Sequence, residues 1–291
     1  MFGKIIWTTD LSENAKASLP YAEEIASRFD ADLILVHVIL DIPLFYASFI
    51  GDSSAYLSAM ERARAEASSE MENMARNLRN KGVAARIMLL EGSPYTEVVR
   101  FAETEGADLV VMSTRGISGL ERLILGSTTE KVVRNSPCPV LTVHKQPELP
   151  LKIRNILLLT DLSELSKKAF RPAVELTGAF GAKLTLLHVM EPGVPLSRED
   201  EKILADALVG VMNGLLQDIT GEEFRDEIER VVLKANDAAG GVARFCEENP
   251  VDLIVMATHG RTGLRKTLLG SVAEKILRNV EIPVLTVRVR P

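Results

Sequence analysis

Two segments of this sequence carry the residue types and spacing that can hold a phosphate. Ser113-Thr-Arg-Gly116, nine residues, then Gly126-Ser127 recurs as Ala257-Thr-His-Gly260, nine residues, then Gly270-Ser271. Each Gly-Ser reads as the opening of a helix. Ser127-Thr-Thr-Glu130 and Ser271-Val-Ala-Glu274 have the capping-box pattern, with serine as the N-cap and glutamate three residues on. Glycine just before the cap allows backbone or ligand to approach closely. A helix N-terminus offers unpaired N–H donors and the positive end of a dipole, which suits an anion. The loop from Gly116 is expected to fold back over the same strand end, where its amides can wrap the anion's other side. A plain N-cap has the same local pattern. The recurrence at one spacing, each time after an Asp-Leu-apolar run, is what points to a phosphate. No G-x-x-x-x-G-K-[ST] is present, and no G-x-G-x-x-G follows the first strand, which disfavours a P-loop NTPase or a dinucleotide-dependent dehydrogenase.

Further polar residues fall at strand ends. Asp10 and Asp161 follow the first strand of each half, where they can contact a ligand, cap the next helix, or both. His37 and His188 lie inside apolar strands and read as buried, hydrogen-bonded histidines. Arg115 and His259 flank the phosphate loops, either touching phosphate or solvated. The two cysteines, Cys138 and Cys246, have no Cys or His at metal-ligand spacing and read as free thiols of a reducing cytosol.

These residues are positioned by a duplicated α/β unit. Thr9-Asp-Leu-Ser-Glu13 recurs as Thr160-Asp-Leu-Ser-Glu164, and Leu35-Val-His-Val38 as Leu186-Leu-His-Val189. Arg115–Val143 aligns with His259–Val287 with 15 of 29 residues identical, too long a unit for a solenoid. Lys145-Gln-Pro-Glu-Leu-Pro150 is a stiff, polar linker, so the expected domains are residues 1–146 and 151–291. In the first half, strands are expected at 4–8, 33–38, 83–89, 108–113 and 140–143, and helices at 12–29, 54–81, 94–105 and 127–135. Continuous apolar runs such as Leu109-Val-Val-Met112 suit parallel strands covered on both faces. The fold class is therefore α/β: two repeated doubly wound domains, each an open five-stranded parallel sheet with helices on both faces, Rossmann-like. Such sheets bind ligands beyond the carboxyl ends of their strands, at the switch point.

With 291 residues, 46% hydrophobic and 25% charged, each half can bury a core without staples. A net charge of −6 argues against a nucleic-acid or anionic-membrane partner. The N-terminus runs into strand pattern without a signal-peptide architecture, and the longest apolar run, 33–40, is too short to span a bilayer, so a cytoplasmic location is expected.

The segment Val255-Met-Ala-Thr-His-Gly-Arg-Thr-Gly-Leu264, through Leu269-Gly-Ser-Val-Ala-Glu-Lys275 to Pro283-Val-Leu-Thr-Val287, resembles the ATP-binding branch of the universal stress protein family. That family's pattern is G-x-x-G-x9-G-[ST], and the likeness covers the chain twice. The resemblance implies phosphate-holding backbone at Gly116, Gly126, Ser127 and Thr128, and at Gly260, Gly270, Ser271 and Val272. It implies that Asp10 and Asp161 contact the adenosine end, and that backbone at Val38 and Val189 reads adenine. ATP or AMP is the implied ligand, with Mg²⁺ or Mn²⁺ carried through its phosphates. Ser113 and Ala257 stand where the pattern has its first glycine. A positive φ there would strain them by about 1 kcal/mol or more.

Three functions fit: an adenine-nucleotide sensor or regulator, a slow ATPase or autophosphorylating enzyme, and a structural adaptor that no longer binds. The first fits best, since paired phosphate cradles stand without a Ser/His/Asp set, a metal-spaced carboxylate cluster or a phosphate-loop lysine. Family members commonly dimerise through their last strand. Val140–Val143 and Val284–Val287 are therefore expected to pair within this chain as a pseudo-dimer, and a homodimer of the tandem is a further expectation.

Overall fold

The computed structural model describes residues 2–40, 53–114, 125–191, 197–217, 228–260 and 269–289. In the first half β1 (Lys4–Thr9), β2 (Asp32–Ile39), β3 (Ala85–Glu91), β4 (Leu109–Ser113) and β5 (Val140–Val143) alternate with helices. These are α1 (Glu13–Lys16), α2 (Leu19–Phe29), α3 (Ser53–Asn80), α4 (Pro94–Glu105) and α5 (Ser127–Asn135). The second half repeats the plan with β6 (Asn155–Leu159), α6 (Phe170–Phe180), β7 (Lys183–Met190), α7 (Arg198–Gln217), β8 (Ile228–Lys234), α8 (Ala238–Glu248), β9 (Leu253–Ala257), α9 (Ser271–Asn279) and β10 (Val284–Val287). A short 3-10 helix, Ser166–Ala169, stands in the position of α1.

These strands form one ten-stranded sheet in the order β3-β2-β1-β4-β5-β10-β9-β6-β7-β8. Every pairing within a half is parallel. The one join between halves is antiparallel, with Leu141 opposite Leu285. Pairing of the two last strands within the chain is thus present, and it buries what would otherwise be two exposed edges. The join is symmetric: Thr142 Oγ1 donates to the Val284 carbonyl and Thr286 Oγ1 to the Val140 carbonyl, both at 3.1 Å.

Side-chain alternation sends each strand into two cores. Ile5 and Trp7 join α2 and α3 on one face, whereas Ile6 meets α4 and α5 on the other. In the second half α6 and α7 cover the first face, α8 and α9 the second, and each core runs through both halves. Fully burying strand side chains such as Ile5, Ile34 and Leu35 contributes roughly 1.5–3 kcal/mol apiece, so the all-apolar strands are a main source of stability.

The expected helix over 12–29 is two helices. Pro20 lies in the first turn of α2, and a continuous helix would set its ring against the Lys16 carbonyl. At the break Trp7 Nε1 donates to Ser18 Oγ (2.8 Å), and that hydroxyl donates to the Ala15 carbonyl (2.8 Å). The third strand begins two residues later than expected, at Ala85, because Lys81 to Val83 is spent capping α3.

Candidate functional site

β6 has β7 on one side and β9 on the other, so the connections leaving it diverge and a cleft opens at the carboxyl ends. A cavity of about 520 Å³ lies there, within the roughly 300–1,000 Å³ typical of small-molecule sites. Asp161, Val189, Ala257, His259, Gly260, Gly270, Ser271 and Val272 all line it, although they come from four separate stretches of sequence. In the first half Asp10, Val38, Ser113, Gly126, Ser127 and Thr128 take the corresponding places on β1, β2, β4 and α5. Arg115 and Gly116 lie outside the described residues.

The polar wall of the cavity is the start of α9. The capping box is not formed: Gly270, not Ser271, is the N-cap, and glycine has no side chain with which to cap the helix. Gly126 likewise precedes α5, with Ser127 as its first residue. The glutamates that would close the boxes turn instead to arginines, Glu130 to Arg134 (2.5 Å) and Glu274 to Arg278 (3.0 Å). Neither N-cap has a side chain to offer, so the first-turn amides of both helices can face an anion.

A side chain at these glycines would meet the protein itself, backbone at Gly126 and Gly270 and a carboxylate at Gly260. The Gly270 amide donates to the Thr258 carbonyl (3.0 Å), and a Cβ at Gly270 would stand 2.8 Å from that oxygen. The Gly126 amide makes the same bond to Thr114 (2.9 Å), with 3.0 Å for its Cβ. Gly260 is tighter, because its Cβ would lie 1.9 Å from Asp161 Oδ2. The expected strain at Ser113 and Ala257 does not arise. They end β4 and β9, and the described non-glycine residues with positive φ are Leu11, Asp30 and Leu162.

Leu11 (φ 66°) and Leu162 (φ 65°) mark a feature that the sequence reading missed, a strained turn directly after each aspartate. The Leu11 N–H donates to Thr9 Oγ1 (2.8 Å) and the Leu162 N–H to Thr160 Oγ1 (3.0 Å). Asp10 Oδ1 accepts from the Ser12 amide (3.0 Å) and hydroxyl (2.5 Å), and Asp161 Oδ1 from those of Ser163 (3.0 and 2.6 Å). The cap of α1 is then Ser12, whose Oγ accepts from the Ala15 amide (3.1 Å), and not the aspartate. The repeat of Thr-Asp-Leu-Ser in both halves was the available signal, since it includes the leucine.

The apolar wall comes from Val189, Leu187, Met190 and Val242, together with Leu204 and Leu208 of α7, which periodicity alone did not single out. Backbone groups of successive strand residues face opposite neighbours. Leu187 accepts from the Thr160 amide and Met190 from the Ala235 amide, so the Val189 carbonyl faces the β6 side, beyond that strand's last residue. The donor that a continuing β6 would bring there, the Leu162 N–H, has gone to Thr160 Oγ1. His188 Nδ1 lies 2.9 Å from the Thr160 carbonyl and His37 Nδ1 2.9 Å from that of Thr9, the hydrogen-bonded placing expected of strand histidines. His259 Nδ1 is 3.0 Å from Thr258 Oγ1 at the cavity wall.

A doubly wound parallel sheet with uncapped helix starts at its switch point defines a Rossmann-like α/β protein. The sequence pattern of the universal stress protein family matches residues 1–144 and again 152–288, and the chain belongs to that family as a two-domain member. It is 26% identical over 299 residues to a universal stress protein of Mycolicibacterium smegmatis, covering 98% of this chain and 97% of that one. Universal stress protein MJ0531 of Methanocaldococcus jannaschii is 36% identical over 145 residues, 50% of this chain and 84% of its own. The solved structure of a universal stress protein from Archaeoglobus fulgidus shares the fold, with a TM-score of 0.73 at 21% identity over 99% of each chain.

Proposed function

We propose that this protein is an adenine-nucleotide sensor of the stress response. Each half, residues 1–146 and 151–291, takes ATP or AMP in its switch-point cleft, and occupancy alters the loops that a partner meets. The observation that carries the reading is the convergence of eight residues from four stretches on one cavity of about 520 Å³. Its two walls match the two ends of the ligand. Uncapped amides of α9 suit phosphate, whereas Val189, Leu204 and Leu208 suit the base. Mg²⁺ or Mn²⁺ would enter on the phosphates. Among the described residues no helix is long and apolar enough to cross a membrane.

Titration calorimetry of ligand-stripped protein with ATP, with AMP as competitor and Mg²⁺ present or absent, tests this. The expected result is two sites per chain, lost one at a time in Gly126→Asp and Gly270→Asp. Metal-dependent phosphate release during the titration would move the assignment to a slow ATPase. No binding at millimolar nucleotide would leave the adaptor reading.

A further inference from the structure

We propose that His37 and His188 are positioning residues: each imidazole holds the threonine carbonyl at the end of the first strand of its half, and so fixes the strained turn that aims Asp10 or Asp161 into the cleft. This rests on the nucleotide reading for its effect on binding, but not for its effect on the turn. Each ring nitrogen Nδ1 lies 2.9 Å from its carbonyl, that of Thr9 or Thr160. A carbonyl only accepts, so Nδ1 carries the proton and donates. The same threonine holds the other side of the turn through its hydroxyl, which accepts from Leu11 or Leu162. Leucine enters the left-handed region only where surrounding bonds hold it, and here it does so twice, at φ 66° and 65°. The next link is the aspartate, whose Oδ1 is tied to Ser12 or Ser163 and, in the second half, whose Oδ2 lies against Gly260. The chain of contacts therefore runs from a side chain on β7 to the carboxylate at the cavity. The two halves keep it although they differ around it: Trp7 stands where the second half has Leu158, and α1 where it has a 3-10 helix.

His188 is buried, so any substitution also lowers stability, and the test separates the two effects. In the full-length chain, His188→Leu removes the donor at similar bulk, whereas the amide of His188→Asn can reproduce Nδ1–H. Hydrogen exchange, read on peptides spanning 160–165, is expected to quicken about tenfold in His188→Leu and to stay within about threefold of wild type in His188→Asn, the scale of one buried hydrogen bond. Second-site nucleotide affinity is expected to follow the same order, while the urea midpoints of both variants fall together. His37→Leu and His37→Asn repeat the comparison on residues 9–14. Equal exchange of the turn in the leucine and asparagine variants would overturn the proposal, whether or not nucleotide binds. Wild-type protein that takes no nucleotide, with the exchange order as expected, would remove the nucleotide reading and leave the clamp standing.

Discussion

Replacing Gly260 by alanine tests the contact between the two conserved-in-duplicate motifs of a half. The new Cβ would lie 1.9 Å from Asp161 Oδ2 and 2.7 Å from its Cγ, where contacts under 3.0 Å essentially never occur. Gly260 has no positive φ, so alanine strains no backbone and only the contact is probed. To clear the methyl, Oδ2 must move by about 1 Å, which turns the carboxylate whose Oδ1 accepts from the Ser163 amide (3.0 Å) and hydroxyl (2.6 Å). Hydrogen bonds to a charged acceptor contribute roughly 1.5–3 kcal/mol each. The pair is only part-buried, and we expect a loss of about 2 kcal/mol after solvent screening. Expressed in second-site affinity, that is roughly thirtyfold. The assay is a nucleotide titration of Gly260→Ala in a Gly126→Asp background, where only the second site is read. Asp161→Ala is then added. With the carboxylate gone, the methyl has nothing to strike, and Gly260→Ala should cost under about 0.5 kcal/mol further. Equal costs with and without the Asp161 carboxylate would refute the contact as the reason for glycine here.

Three other outcomes follow from the same geometry. Gly270→Ala should destabilise more than Gly126→Ala in urea unfolding, because its Cβ meets the strand-end carbonyl at 2.8 Å rather than 3.0 Å. Thr142→Val and Thr286→Val should each cost roughly 0.5–1.5 kcal/mol in the same assay, and by nearly equal amounts, since each hydroxyl donates to a carbonyl across the β5–β10 join at 3.1 Å. Burial pushes the Cys246 thiol up to about 11, with Glu247 adding to it, and the Tyr21 hydroxyl up to about 12, with Asp252 adding to it. Both groups are neutral when protonated, so the folded state holds their protons more tightly than the unfolded chain. Their contribution is full below pH 9 and is lost as the pH rises through 11 and 12, which urea midpoints between pH 8 and 12 will show.

Much of the fold was legible because its strands are buried on both faces. Runs such as Leu109-Val-Val-Met112 admit few other placements, and the internal repeat fixed the order of elements twice over. The pairing of β5 with β10 followed from the family resemblance, whose members commonly pair through their last strand, and it covers two edges within one chain. Local chemistry was harder to read. The Ser-x-x-Glu pattern at 127–130 and 271–274 implied capping boxes, yet nearby Arg134 and Arg278 claim the glutamates, a competition set by tertiary neighbours. The break before α2 had a signal in Pro20, which stands in the first turn of that helix. The positive φ at Leu11 and Leu162 had no residue-type signal, because leucine disfavours it and only the bonds from Thr9 and Thr160 make it hold. Likewise Leu204 and Leu208 reach the cavity through the way α7 crosses the sheet.

Hydrogen exchange of the full chain, with and without saturating ATP, tests the central claim most directly. The account predicts slowed exchange in peptides covering 160–166, 187–191 and 269–274, which meet at the second cleft, and in 9–14, 36–40 and 125–130 at the first. No change in any of these, or protection confined to the linker at 145–150, would contradict it.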